Sequence, residues 1–259
     1  MQVEPCCQAL LSQILPEVDK KCLGLTIEVG VGTFAFYFKL FEQLGFQAIA
    51  VEPLPTEQVR QLCSSGNISL IESCISDIDG LVDFYLGSYE GQRSLNLNSM
   101  RPDWWGSSST AIQVPSMSLH SLLSTLEAKQ LTCLKIDVEG MEFSIIKQLP
   151  SLPENLLPQV LMFEYGGGST RKRGQGGWSQ EILDETMKSL DIICNLGYRQ
   201  AIIVDSAANG KEQVIDLKAI SLEPTVVFPP QSVYGNIITL RGAQYTEEKI
   251  AAVCQLYRA

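Results

Sequence analysis

Leu25-Thr26-Ile27-Glu28-Val29-Gly30-Val31-Gly32-Thr33-Phe34-Ala35 and Ala48-Ile49-Ala50-Val51-Glu52-Pro53 are the two stretches that decide the fold. Each begins as a short apolar run of the kind that forms a parallel strand buried on both faces, and each ends in an acid. The glycines after Glu28 let the backbone turn sharply and approach a ligand closely. Glu52 follows them by about 20 residues, where a doubly wound fold places the acid that holds a ribose diol. Together these residues describe a pocket for an adenosine-type cofactor.

The same alternation continues outward. Residues 5–18 read as an amphipathic helix, and 34–44 as a helix stopped by Gly45. A helix over 55–63, a strand at 68–71 and a strand at 81–86 follow. Residues 118–129 form a helix capped by Ser118, then come a strand at 131–137, a helix at 142–149 and a strand at 159–164. A long helix spans 179–196 and stops at Gly197. Two strands near 199–204 and 235–240 precede a terminal helix from about Thr246. This order predicts an α/β fold: a doubly wound, mostly parallel seven-stranded sheet with helices on both faces and the last strand antiparallel. Two polar stretches, about 87–110 and 166–178, read as insertion loops, and loops of that length commonly carry function.

The chain has 259 residues, 45% of them hydrophobic and 19% charged, an ordinary globular composition. No apolar run reaches the roughly 18 residues that a membrane helix needs. The N-terminus lacks the basic start and apolar core of a secretory signal, so a cytoplasmic location is expected. A net charge of −10 argues against nucleic acid and acidic membrane surfaces as partners. The eight cysteines are scattered without metal-ligand spacing and read as reduced thiols. His120 is the only histidine, which removes any two-histidine metal site and weakens a Ser-His-Asp hydrolase reading.

Gly30-x-Gly32-x-x-Ala35 also satisfies the dinucleotide fingerprint, so the glycines alone leave an NAD-dependent oxidoreductase open. Glu28 separates the two cofactors. A pyrophosphate is repelled by a carboxylate at the strand tip, whereas the sulfonium and ammonium of S-adenosylmethionine tolerate or favour one. Ser76-Asp77 after the third strand is placed to reach an adenine. In Leu134-Lys135-Ile136-Asp137-Val138-Glu139-Gly140, the alternating charges Lys135, Asp137 and Glu139 share one face if the strand continues. Charges in an apolar strand are costly unless paired or used.

Glu28-Val29-Gly30, Val51-Glu52-Pro53, residues 76–80, residues 118–123 and residues 134–140 resemble, in order, the motif series of the FkbM family of S-adenosylmethionine-dependent methyltransferases. Many members methylate a hydroxyl oxygen. The resemblance covers about residues 24–165. It implies an N-terminal helical segment over 1–23 and one methyltransferase domain over 24–259. It further implies that Glu28, Gly30, Gly32, Thr33, Glu52 and Pro53 hold the cofactor, with Ser76 and Asp77 near the adenine and Asp137 at the methionine end. Three positions depart from the family pattern. Glu28 stands for the usual Asp, Gly32-Thr33-Phe34 for Asn-x-Gly, and His120 for Asp, which makes His120 a structural or surface residue.

Methyl transfer from a sulfonium is an in-line displacement in which the protein mainly supplies alignment and a base. Asp137 is expected to align the cofactor, with Glu139 or Glu164 serving the acceptor. A small-molecule or sugar-like acceptor is expected, and a homo-oligomer is left open. No metal is assigned, although these carboxylates leave a divalent ion open. The basic run Arg171-Lys172-Arg173, with Trp178, is a candidate lid over an anionic or sugar-like acceptor, and Trp104-Trp105 a candidate cleft wall. A catalytically silent cofactor-binding protein is the second alternative.

Overall fold

The computed structural model describes residues 1–166, 179–207 and 210–258. Helix α1 (Val3–Val18) comes first. Strands and helices then alternate through β1 (Leu25–Val29), α2 (Phe36–Gln43), β2 (Ala48–Val51), α3 (Glu57–Ser64) and β3 (Ile68–Ile71). A β-rich segment follows: β4 (Cys74–Ile75), β5 (Gly80–Tyr89), β6 (Gln92–Arg93) and β7 (Ser107–Met117). The alternation resumes with α4 (Leu119–Thr125), β8 (Leu131–Ile136), α5 (Glu142–Ile146), β9 (Val160–Gly166) and α6 (Gln180–Asn195). The last elements are β10 (Tyr198–Asp205), β11 (Gln213–Asp216), α7 (Pro224–Val227), β12 (Tyr234–Arg241) and α8 (Glu247–Cys254).

The main sheet has the order β11-β10-β12-β9-β8-β1-β2-β3. β3, β2, β1, β8 and β9 are parallel, and β12 runs antiparallel to both of its neighbours, β9 and β10. The doubly wound, mostly parallel sheet is therefore as expected, with one strand more than the seven anticipated. The addition is the edge strand β11, whose short polar segment gives little apolar signal. Two strands are reversed, the edge strand β11 and, as expected, the last strand β12, which lies inside the sheet.

All five β1 residues are buried, so successive side chains feed two different cores. Ile27, Val29, Ile49 and Val51 pack with Leu122, Ile145 and Leu190 on the α4–α5–α6 face. Ala48, Ala50 and Cys133 pack with Leu10, Phe38, Phe41 and Ile250 on the α1–α2–α8 face, where small strand residues admit large helix ones. Glu28 falls on this second face, between Ala50 of β2 and Lys135 of β8. No described helix is long and apolar enough to cross a membrane.

The stretch 87–110, expected as a loop, is corrected in part. It supplies the end of β5, all of β6 and the start of β7 to a second sheet of order β4-β7-β5-β6. That sheet has a core of only Cys74, Val82, Phe84 and Val114, and most of its remaining side chains face water. Polar strands with so small an apolar face carry little period-two signal. The other expected insertion, with Arg171-Lys172-Arg173 and Trp178, lies outside the described residues.

Candidate active site

Where β1 and β2 end, the chain builds one wall of a cavity of about 260 Å³. Gly30 turns with φ +81°, and a Cβ there would stand 1.6 Å from the carbonyl oxygen of Asp137. Only glycine lets these two strand tips lie so close. Gly32 is also left-handed, at φ +57°. The loop they form is gathered by Glu52. Its Oε2 accepts from the N–H groups of Val31 and Gly32 at 3.2 and 3.0 Å, and its Oε1 from Leu54 at 3.1 Å. Burial pushes the Glu52 carboxyl above its ordinary range, and these three donors pull against that. Glu52 thus holds the loop while facing the cavity, which Gly30, Gly32 and Pro53 also line.

Beneath the loop runs a buried ionic chain. Glu28 and Lys135 are register partners on β1 and β8, 2% and 3% exposed. Lys135 Nζ lies 3.4 Å from Glu28 and 3.1 Å from Asp137, and donates to the Gly30 carbonyl at 3.3 Å. Its ammonium also sits 5.1 Å from the centre of the Tyr37 ring. Glu28 Oε2 accepts from the Phe38 N–H at 2.8 Å, tying β1 to the first turn of α2. Burial lifts the Glu28 carboxyl to about 6 despite Lys135 and the Phe38 donor.

Asp137 leads into a group of carboxylates. One oxygen each of Asp137, Glu139 and Glu164 lies within 4.8 Å of the others, and all three residues line the cavity. Burial, then the Asp137 charge, holds Glu139 and Glu164 well above the usual carboxylate range. These three are the one group among the described residues whose spacing could admit a metal ion.

Glu139 does not continue the strand. It takes a left-handed φ of +53°, strained for a residue with a side chain. The connection between β6 and β7 over-determines it. Trp104 Nε1 donates to Glu139 Oε2 at 2.7 Å, and Ser99 Oγ donates to the Glu139 carbonyl at 2.7 Å. The Trp104 ring also lies where a Cβ on Gly140 would be, 2.5 Å away. Trp104→Phe removes the indole donor and lifts the Glu139 carboxyl further. A carboxyl raised in the folded state contributes stability below the unfolded value, and that contribution is lost as pH rises through the folded value. Urea unfolding of this variant is expected to show a loss that grows with rising pH, to about 2 kcal/mol once Glu139 is ionised. A deficit independent of pH would remove the Trp104–Glu139 bond as its cause.

Several expected placements differ. Thr33 does not line the cavity; its N–H and hydroxyl both donate to Asn96 Oδ1, at 2.8 and 2.9 Å. Ser76 and Asp77 do not line it either. Ser76 is buried against Ser116, and half-exposed Asp77 pairs with Lys147 at 2.7 Å. Ser73, Cys74 and Ile75, just before them, occupy the cavity wall instead. β3 ends at Ile71 as expected, and the residues directly after it, rather than Ser76 and Asp77, reach the cavity. His120 is exposed on α4. Trp105 packs edge-on against Tyr89 and does not line the cavity.

Sequence reasoning missed Glu4 on α1, Tyr37 on α2, Tyr234 on β12 and the wall given by Phe84 of β5 with Asn96, Asn98 and Met100 of the β6–β7 connection. Glu4 accepts from the Tyr37 hydroxyl and, at 2.8 Å, from Asn236 Nδ2, which draws the N-terminal helix over the carboxylate end. The one available signal was an acid on the buried side of α1.

A family profile described as the methyltransferase FkbM domain matches residues 26–199, more than half of the chain and beyond the residue-165 limit expected from motifs. No curated protein matches the sequence. Among solved structures, the plantazolicin methyltransferase BpumL in complex with S-adenosylhomocysteine is 13% identical, with 92% of this chain and 83% of that one covered, at a TM-score of 0.44. An S-adenosylmethionine-dependent methyltransferase from Archaeoglobus fulgidus is 15% identical, with 92% and 94% covered and a TM-score of 0.42. The magnesium protoporphyrin IX methyltransferase of Synechocystis PCC 6803, with bound S-adenosylmethionine, is 11% identical, with 92% and 80% covered and a TM-score of 0.39.

Proposed function

This chain belongs to the FkbM family of methyltransferases, and we propose that it moves the methyl group of S-adenosylmethionine to a hydroxyl oxygen of a small-molecule or sugar-like acceptor. The observation that carries the reading is the convergence of Asp137, Glu139 and Glu164 at one end of a cavity whose adjoining wall is the glycine loop and Glu52.

The residues present fit the cofactor. Gly30 and Gly32 present bare backbone to the cavity, and Glu52, with three backbone donors on its two oxygens, keeps acceptor capacity for a ribose diol. The acidic end suits a sulfonium and an ammonium. It does not suit the pyrophosphate of a dinucleotide, because Lys135 is the only basic side chain among the described lining residues and is already engaged. When bound, S-adenosylmethionine supplies an electrophilic methyl carbon. The acceptor oxygen would take that methyl in line with the sulfur, which would keep the bonding pair and leave as S-adenosylhomocysteine. The hydroxyl proton passes to Glu139 or Glu164, whose raised affinity for protons suits a base once ionised. Asp137, braced by Lys135, aligns the methionine end.

Calorimetry with S-adenosylhomocysteine tests the reading. Micromolar binding is expected, and Asp137→Ala should weaken it tenfold or more. No heat from folded protein would remove the cofactor assignment, and unchanged affinity in the variant would remove the role of Asp137. Cofactor binding without methyl loss to any of a broad acceptor panel would favour a silent binding protein.

A further inference from the structure

The described lining of the cavity carries Glu4, Glu28, Glu52, Asp137, Glu139 and Glu164 against Lys135 alone. Lys135 is spent on Glu28 and Asp137, and Glu52 on backbone donors. Two carboxylates, Glu139 and Glu164, therefore face each other and Asp137 without a cation of their own among the described residues. Like charges at this spacing repel strongly in a partly desolvated site, and a ligand cation relieves that cost where an anion adds to it.

A second feature lines the same cavity. Phe34 and Phe36 are 60% and 39% exposed, yet both line the cavity. Their rings stack with centroids 5.1 Å apart and planes within 7°. Tyr234, 37% exposed, is a further lining residue. It pairs with Gly166, while Asn236, two residues on, pairs with Glu164. Tyr234 and Glu164 thus share one face of the sheet as diagonal neighbours, about 7 Å apart. Exposed aromatic rings beside carboxylates recognise flat apolar surfaces and protonated amines.

We propose that the acceptor bears a protonated amine and a flat apolar face as well as its hydroxyl, with the amine held by the Glu139–Glu164 end and the flat face by the Phe34, Phe36 and Tyr234 rings. This rests on the methyltransferase reading above and narrows its acceptor class. Phosphorylated and carboxylated acceptors are disfavoured, in contrast to the anionic acceptor considered from the basic run at 171–173.

Two probes that share a phenol ring and differ in charge decide the matter: tyramine and 4-hydroxyphenylacetate. Binding of S-adenosylhomocysteine is measured first, so a failure of the cofactor reading is seen separately. Each probe is then titrated into the protein saturated with S-adenosylhomocysteine, at pH 7.5. Tyramine is expected to bind at least tenfold more tightly than 4-hydroxyphenylacetate. Glu164→Gln should erase most of that preference, and Phe34→Ala should weaken both probes several-fold while leaving S-adenosylhomocysteine affinity unchanged. Equal affinity, tighter binding of 4-hydroxyphenylacetate, or no binding of either probe to the loaded protein overturns the proposal. Displacement of tyramine by magnesium chloride at an ionic strength held constant with sodium chloride also overturns it, because the carboxylates would then belong to a metal.

Discussion

Gly30→Ala is expected to destabilise the protein by more than 4 kcal/mol, or to prevent folding, and to abolish S-adenosylhomocysteine binding in whatever folds. Two costs combine at this position. The φ of +81° charges any side chain about 1–2 kcal/mol for left-handed geometry. The larger cost is steric. The new Cβ would stand 1.6 Å from the Asp137 carbonyl oxygen and 2.7 Å from its carbon, and both are backbone atoms. Relief requires the tips of β1 and β8 to separate, yet they are joined by Asp137 N–H to the Val29 carbonyl at 2.9 Å. Gly197 supplies the control. It has a similar φ of +91° with nothing within 4 Å of its Cβ position. Gly197→Ala should therefore lose only the conformational part, about 1 kcal/mol in urea unfolding. Similar losses in the two variants would mean that close packing at Gly30 is not what holds the loop.

That contrast marks how far the sequence could be read. The strands that end in Glu28, Glu52 and Asp137 were legible because a buried parallel strand must be apolar throughout and its tip need not be. The glycine positions were legible for the same steric reason that Gly30→Ala fails. The second sheet was not. Its strands bury only four hydrophobic residues in a core of their own, so no periodicity announces them. The β6–β7 connection within it reaches the site through polar contacts such as Asn96 to Thr33 and Trp104 to Glu139, which no local pattern encodes. Ser76 and Asp77 looked suited to an adenine because they follow a strand. Tertiary pairing gave them to Ser116 and Lys147 and placed the preceding residues on the cavity wall. Glu4 was hidden by distance, since its partners Tyr37 and Asn236 lie 33 and 232 residues away.

Lys135→Met is expected to remove about 3–5 kcal/mol at pH 8, because it deletes one partner of a buried ion pair and leaves the others uncompensated. Lys135 and Glu28 are almost wholly buried, and Asp137 also loses the one cation that pairs with it among the described residues. The pH dependence follows from Glu28. Its carboxyl already stands at about 6, above its ordinary 4.5, because burial outweighs the pull of Lys135. Without Lys135 it rises further. A group raised in the folded state stabilises fully below its unfolded value, and that contribution disappears as pH rises through the folded one. The deficit of the variant should therefore be small near pH 4.5 and grow through pH 8. Glu28→Gln in the same chain keeps a carbonyl oxygen for the Phe38 N–H while removing the stranded charge. The double variant is thus expected to recover a large part of the loss at pH 8, as replacement of a whole buried pair usually does. Recovered stability need not restore alignment, because Asp137 still lacks its brace, and S-adenosylhomocysteine affinity should remain reduced. A single variant within 1 kcal/mol of the parent at pH 8, or a double variant less stable than the single one, would show that Lys135 acts by packing against Tyr37 rather than by charge.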